Sequence, residues 1–259
     1  MKNKTTIFDF QAEVGLTKML GCIKTTEELI ELCHIDKDKY VLDVGCGVGA
    51  TACYIAKKTG CRVVGIDIRK RMVEVSKERA RREGLEGRVE FIVADAQKLP
   101  FNSNVFDVVA SESVTAFVKD KKKTVSEYTR VAKPGGYIWL NETTWIKDPP
   151  PEMAQWISHT TGGAMPETSD GWKELLEGSE LKVVLAKRLK FSPLSQAINE
   201  MRLIGLSQAL RGAFRMLSLY FKSPAHKKAV HKLAGEARKM PRSTFEYWGT
   251  GIYVGRKML

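Results

Sequence analysis

Val41-Leu42-Asp43-Val44-Gly45-Cys46-Gly47-Val48-Gly49-Ala50 decides the reading of this chain. An apolar strand runs into a glycine-rich turn, and the turn opens a helix. The glycines are spaced G-x-G-x-G, unlike the G-x-G-x-x-G of dinucleotide-binding turns. Asp43 stands inside the strand end, just ahead of the first glycine. Asp67 follows at the end of the next apolar run, Cys61-Arg62-Val63-Val64-Gly65-Ile66, with Ile68 beside it. In a strand–turn–helix unit, glycines admit the backbone close to a ligand and a second-strand acid takes ribose hydroxyls. Asp43 adds the expectation of a cationic group near the turn.

Outward from this turn the pattern repeats. Strands are predicted over Tyr40 to Val44, Arg62 to Ile66, Val89 to Val93, Val105 to Ala110 and Tyr137 to Leu140. Helices are predicted between them, near Ala50 to Lys58, Lys70 to Glu83 and Lys121 to Val131. Such alternation implies right-handed crossovers and an α/β, doubly wound sheet. After Asp148-Pro149-Pro150-Pro151 the pattern changes. Short helices are expected near Glu152 to His159 and Gly171 to Glu177, then strands over Leu181 to Leu189 and Phe245 to Val254. Upstream, Thr25-Thr26-Glu27-Glu28-Leu29-Ile30 carries a threonine cap signal before a helix ending near Cys33.

Three further motifs sit at strand ends. Val89 to Phe101 ends a strand on Asp95-Ala96 and continues into Leu99-Pro100-Phe101. Phe106-Asp107-Val108-Val109-Ala110-Ser111-Glu112-Ser113 ends the fourth strand on a polar cluster. Arg130-Val131-Ala132-Lys133-Pro134-Gly135-Gly136 forms the turn into the fifth. Together with the glycine turn and Asp67, these resemble the class I S-adenosylmethionine-dependent methyltransferases, and within them the ubiquinone/menaquinone C-methyltransferase-like, type 11, group. The resemblance covers about Lys39 to Asn141. It implies a Rossmann-like seven-stranded sheet, mostly parallel with an antiparallel last strand, and S-adenosylmethionine as cofactor. That ligand carries an amino group, a sulfonium and a ribose diol, and no phosphate.

The resemblance also implies roles for individual residues. Asp43, Gly45, Cys46, Gly47 and Gly49 belong to the cofactor turn. Asp67 and Ile68 face the ribose end, and Asp95 and Ala96 face adenine, although Asp95 is equally an acid suited to a turn. Ser111 and Glu112 end the strand that faces the transferring methyl. Glu112 is a catalytic candidate that would position cofactor or substrate, or accept a proton. Relatives with a histidine just beyond this point find no counterpart in Ser113-Val114-Thr115-Ala116-Phe117. His159 is the other candidate base, with a purely structural role as the alternative. The segment Gly15 to Gly21 with Thr25-Thr26 is similar to a small-molecule lid, which nominates Lys18 and Thr26 over the methionine end. Asn141, Glu142 and Trp145 stand where substrate walls form. No metal site is expected.

The chain of 259 residues suffices for one large domain with an embellishment. The expected division is an N-terminal helical lid over 1–38, a methyltransferase core over 39–191 and 244–259, and a basic helical insertion over 192–243 as substrate lid. Net charge is +12, and the insertion holds ten Lys and Arg against two Glu. Leu203, Leu206, Leu210, Phe214 and Leu217 recur there at helical spacing, as core or as a binding face. The five cysteines form no C-x-x-C pair, and no apolar N-terminal run suggests a leader, so a reducing cytoplasmic setting is expected. The expected activity is methyl transfer to a small or lipid-like molecule. A contact with an anionic membrane surface through the basic insertion is allowed, and nucleic acid is disfavoured. RNA methylation is the first alternative, although Ser111 begins no Asn-Pro-Pro-Tyr-type tetrad. A non-catalytic cofactor-binding module is the second. Arsenite methylation through Cys22 and Cys33 is an outsider.

Overall fold

The computed structural model describes residues 23–189, 206–241 and 243–259. Seven strands follow the order β3-β2-β1-β4-β5-β8-β7. They are β1 (Tyr40–Val44), β2 (Arg62–Asp67), β3 (Val89–Val93), β4 (Phe106–Glu112), β5 (Ala132–Trp145), β7 (Leu181–Leu189) and β8 (Trp248–Lys257). A two-residue strand, β6 (Glu167–Thr168), pairs with the end of β5 and is too short to leave a sequence signal. Strands β1 to β5 are parallel, and β8 runs antiparallel between β5 and β7. This is the expected sheet with its reversed last strand.

Successive strand residues supply opposite faces. Val41, Val63, Val108 and Trp139 enter one core, where they meet Leu29 of α1 (Ile23–Leu32), Cys53 and Ile55 of α2 (Ala50–Thr59), and Val73 and Ala80 of α3 (Lys70–Arg82). Leu42, Val64, Val109, Ile138 and Leu140 enter the other. There they pack on Val125 and Tyr128 of α4 (Lys121–Val131) and Trp172 and Leu176 of α6 (Ser169–Glu177). Burial of both faces explains why β1 and β4 read as continuous apolar runs.

Three boundaries differ from expectation. β5 is much longer, because residues Tyr137 to Trp145 gain a nine-residue antiparallel ladder with β8. β8 begins at Trp248, since Thr244–Tyr247 form a helical turn, α9. Thr25 and Thr26 lie inside α1 and are buried, so neither caps it. Lys18 and Cys22 lie outside the described residues, as does Leu203. The insertion includes α7 (Leu206–Lys222) and α8 (Pro224–Arg238), while α5 (Pro151–Thr161) precedes β6.

A buried guanidinium fixes the glycine turn to the fold. Arg79 of α3 is 2% exposed, and its Nε donates to the Val48 carbonyl at 2.8 Å. Its Nη1 lies 3.3 Å from Glu83 Oε1. Truncation leaves the Val48 carbonyl without this charged donor. Arg79→Ala is expected to cost about 1.5–3 kcal/mol, read as a lower urea midpoint at an unchanged slope.

Candidate cofactor and active site

The strand order turns back at β1, with β2 and β3 on one side and β4 and β5 on the other. Open α/β sheets bind ligands at the carboxyl ends beside such a reversal. A cavity of about 490 Å³ lies there. Its wall includes Asp43, Gly45, Cys46 and Gly47 after β1, and Asp67 and Ile68 after β2. Asp95 and Ala96 after β3 and Glu112 at the end of β4 complete the polar side. Val114, Phe117 and Val118 supply an apolar side.

Among the described residues, four carboxylates face this cavity, against two lining cations, half-buried Arg69 and exposed Lys119. Asp43 is 2% exposed and its Oδ2 has no hydrogen-bond partner. Burial, and then the neighbouring charges of Glu112 and Asp67, hold its carboxyl well above the usual range. Glu112 accepts from Thr51 Oγ1 at 3.1 Å and Thr26 Oγ1 at 3.3 Å. Burial raises its carboxyl to about 7, with those hydroxyls opposing the rise. Asp67 is also raised, by burial, although its Oδ2 accepts from the Gly47 N–H at 3.1 Å and its Oδ1 from the Arg69 N–H at 2.8 Å. Cys46 is a buried thiol pushed well up by burial and by Asp43 and Asp67, which keeps it protonated and un-nucleophilic.

Asp95 folds back on its own turn, with Oδ1 accepting from the Gln97 N–H at 2.9 Å. The turn after it is clamped from α4. Glu127 Oε2 accepts from the Leu99 N–H at 2.8 Å, and Arg130 donates to the carbonyls of Phe101 at 2.8 Å and Leu99 at 3.1 Å. Ile68 is 64% exposed beside Asp67 and offers an apolar surface to a planar group.

Other nominated residues stand elsewhere. Ser111 is fully buried and donates to Glu142 Oε1 at 3.2 Å, behind the cavity wall. Thr26 is one layer back, reaching the cavity only through Glu112. His159 is exposed on α5 and does not line the cavity; Gly162, three residues on, does. Asn141, Glu142 and Trp145 do not line it either. Glu142 instead holds the wall from behind. Its Oε1 accepts from the N–H groups of Val114 at 3.1 Å and Thr115 at 2.8 Å, and its Oε2 from Ala116 at 3.2 Å. Such tertiary anchors leave no local sequence signal. Among the described residues of the insertion, none lines the cavity. The four described cysteines, Cys33, Cys46, Cys53 and Cys61, are buried free thiols, and no His/Cys/Asp/Glu cluster suited to a metal occurs among the described residues.

Residues 42–140 match the family described as "Methyltransferase domain". Over those residues the chain carries a methyltransferase domain. A Haemophilus influenzae protein of uncharacterised function is 28% identical over 85% of this chain and 93% of its own length. Phosphoethanolamine N-methyltransferase 3 of Arabidopsis thaliana is 34% identical over 53% of this chain, and the match spans only 28% of that enzyme. Among solved structures, Haemonchus contortus phosphoethanolamine N-methyltransferase 2, with phosphomonomethylethanolamine and S-adenosylhomocysteine, aligns at a TM-score of 0.72 and 18% identity. That alignment covers 100% of this chain and 59% of the other, and shows the shared fold.

The methyltransferase domain's own cavity fits a cationic cofactor without phosphate. The unpartnered Asp43 oxygen and the excess of acids favour positive charge, and a side chain at Gly47 would enter open space. Gly49 shares the left-handed backbone, at φ +74° against +52° for Gly47, but there an added Cβ would lie 2.7 Å from Phe91 Cζ and Ser76 Cβ. Gly47→Ala is expected to weaken cofactor binding while costing about 1–2 kcal/mol of stability from left-handed strain alone, since φ there is +52°. Gly49→Ala is expected to destabilise the fold by about 2–4 kcal/mol, from left-handed strain plus overpacking. Urea melts and cofactor calorimetry on both variants check the contrast, and identical effects would dissolve it.

Proposed function

We propose that this protein transfers a methyl group from S-adenosylmethionine to a small or lipid-like nucleophile. The convergence of Asp43, Asp67, Asp95 and Glu112 on one cavity carries the proposal. Asp43 and Glu112 hold the cationic methionine end. Asp67 accepts from the ribose hydroxyls. Asp95 accepts from the adenine amine, with the Ala96 N–H for a ring nitrogen and Ile68 against the base. The bound cofactor supplies a methyl already activated on a sulfonium.

The protein's contribution is then alignment and the exclusion of water. Holding nucleophile, methyl and sulfur in line can supply roughly 7–11 kcal/mol. A general base is needed only where the nucleophile keeps its proton, so the absence of a lining histidine is compatible with this chemistry. Val114, Phe117 and Val118 present an apolar wall for the acceptor molecule. The relatives' phosphoethanolamine chemistry supports a small-molecule acceptor.

Titration calorimetry with S-adenosylmethionine tests the assignment. Asp67→Ala and Asp95→Ala are each expected to weaken binding by about 1–3 kcal/mol, the loss of hydrogen bonds to a charged group. Unchanged affinity in both would remove the ribose and adenine assignments. Transfer of labelled methyl into a fractionated cell extract then reads the acceptor.

Glu112 makes both affinity and stability depend on pH. Ionisation near 7 creates the charge that attracts the cation, so affinity is expected to rise between pH 6 and pH 8. Stability moves the other way. The ordinary carboxyl value is 4.5, and the folded value is about 7. Between them the folded chain keeps a proton that the unfolded chain has lost, so raising pH through this window subtracts stability. Glu112→Gln is expected to flatten this group's share of both slopes, at about 2–4 °C in Tm per kcal/mol for a domain of this size. Wild-type slopes in the variant would show that Glu112 does not titrate there.

A further inference from the structure

The described part of the insertion's apolar stripe, on α7, faces outward. Leu210 is 62% exposed, Phe214 74%, Leu217 55% and Phe221 76%. At 3.6 residues per turn these four side chains fall within about 60° of one another on α7. Arg211, Arg215 and Lys222 form a row along one edge of that stripe, and all three are exposed. The second helix adds exposed Lys227 and Lys228, and Tyr220 of the first meets His231 of the second at 3.1 Å. Across residues 206–241 there are eight Lys and Arg against a single Glu.

We infer that this helical pair docks on an anionic lipid bilayer, with Phe214 and Phe221 at the acyl boundary and the basic row against lipid head groups. A helix with an apolar face and a cationic edge lies in the plane of an interface, where apolar burial and attraction to acidic lipid add. No described helix is long and apolar enough to cross a membrane, so the contact is peripheral. An antiparallel two-fold contact between copies would set the basic rows side by side. Nucleic acid would satisfy the cations and leave Leu210 and Leu217 in water. The surface is separate from the cofactor cavity, so the inference stands whatever the acceptor molecule is.

Sedimentation of the full chain with vesicles tests this. One set contains phosphatidylcholine alone, and the other equal parts of phosphatidylcholine and phosphatidylglycerol, each at low and physiological salt. Binding is expected only to the anionic vesicles, and to weaken as salt rises. Replacing Arg211, Arg215 and Lys222 by Gln is expected to weaken it about fivefold per residue. Phe214→Ser with Phe221→Ser is expected to weaken it at least tenfold. Circular dichroism and cofactor affinity should stay at wild-type values in both variants, since none of these residues lines the cavity. Absence of binding to anionic vesicles, or a double serine variant that sediments like wild type, overturns the inference. So does a lipid-free dimer in light scattering that the serine variant dissolves. Salt-sensitive RNA binding that ignores the serine substitutions and exceeds vesicle binding would assign the basic row to nucleic acid instead.

Discussion

Asp43 is buried at the end of a central strand with one carboxylate oxygen unpartnered, and Glu112 and Asp67 are close enough to raise its proton affinity further. Isolated burial of such a charge is costly. A cationic group placed beside it would offset that cost. A phosphate-bearing ligand would meet the opposite effect.

Other buried charges do a different job. Arg79 grips the Val48 carbonyl from α3, Glu142 gathers three N–H groups of the 114–116 segment, and Glu127 with Arg130 pins the Leu99–Phe101 turn. Each fixes a loop that carries cavity residues. Charged groups with several backbone partners make strong, directional anchors, and removal of one strands the partners it served. The cavity is thus shaped by charges that anchor its loops from behind and by carboxylates that line it.

The strands around the glycine turn were legible because their apolar runs are continuous and end in glycine, acid or proline signals. Asp43, Asp67, Asp95 and Glu112 gather at one cavity for a related reason: each lies within two residues of a strand's carboxyl end, and topology brings those ends together. Arg79 and Glu142 were not legible, since their partners lie 26 to 31 positions away and no local spacing marks them. Ser111 and Glu112 are neighbours, yet alternation along β4 sends only one of them to the cavity. On α7, periodicity grouped Leu210, Phe214 and Leu217 on one side, but it carries no information on which side faces solvent. Leu210 and Phe214 are therefore outside, where a core reading would have put them in.

The position of β8 governs the order in which the fold can be completed. It lies between β5 and β7, although it follows both in the chain. As the chain leaves the ribosome, β1 to β5 can pair while β8 is still unmade. β7 then has no place in the sheet until β8 arrives to bridge it. The long edge of β5 stays open for that interval, together with the apolar residues it will bury. A nascent chain paused before Trp248 would hold the cofactor strands in place and expose an unpaired strand edge, the hazard that makes slow, non-local pairing prone to aggregation.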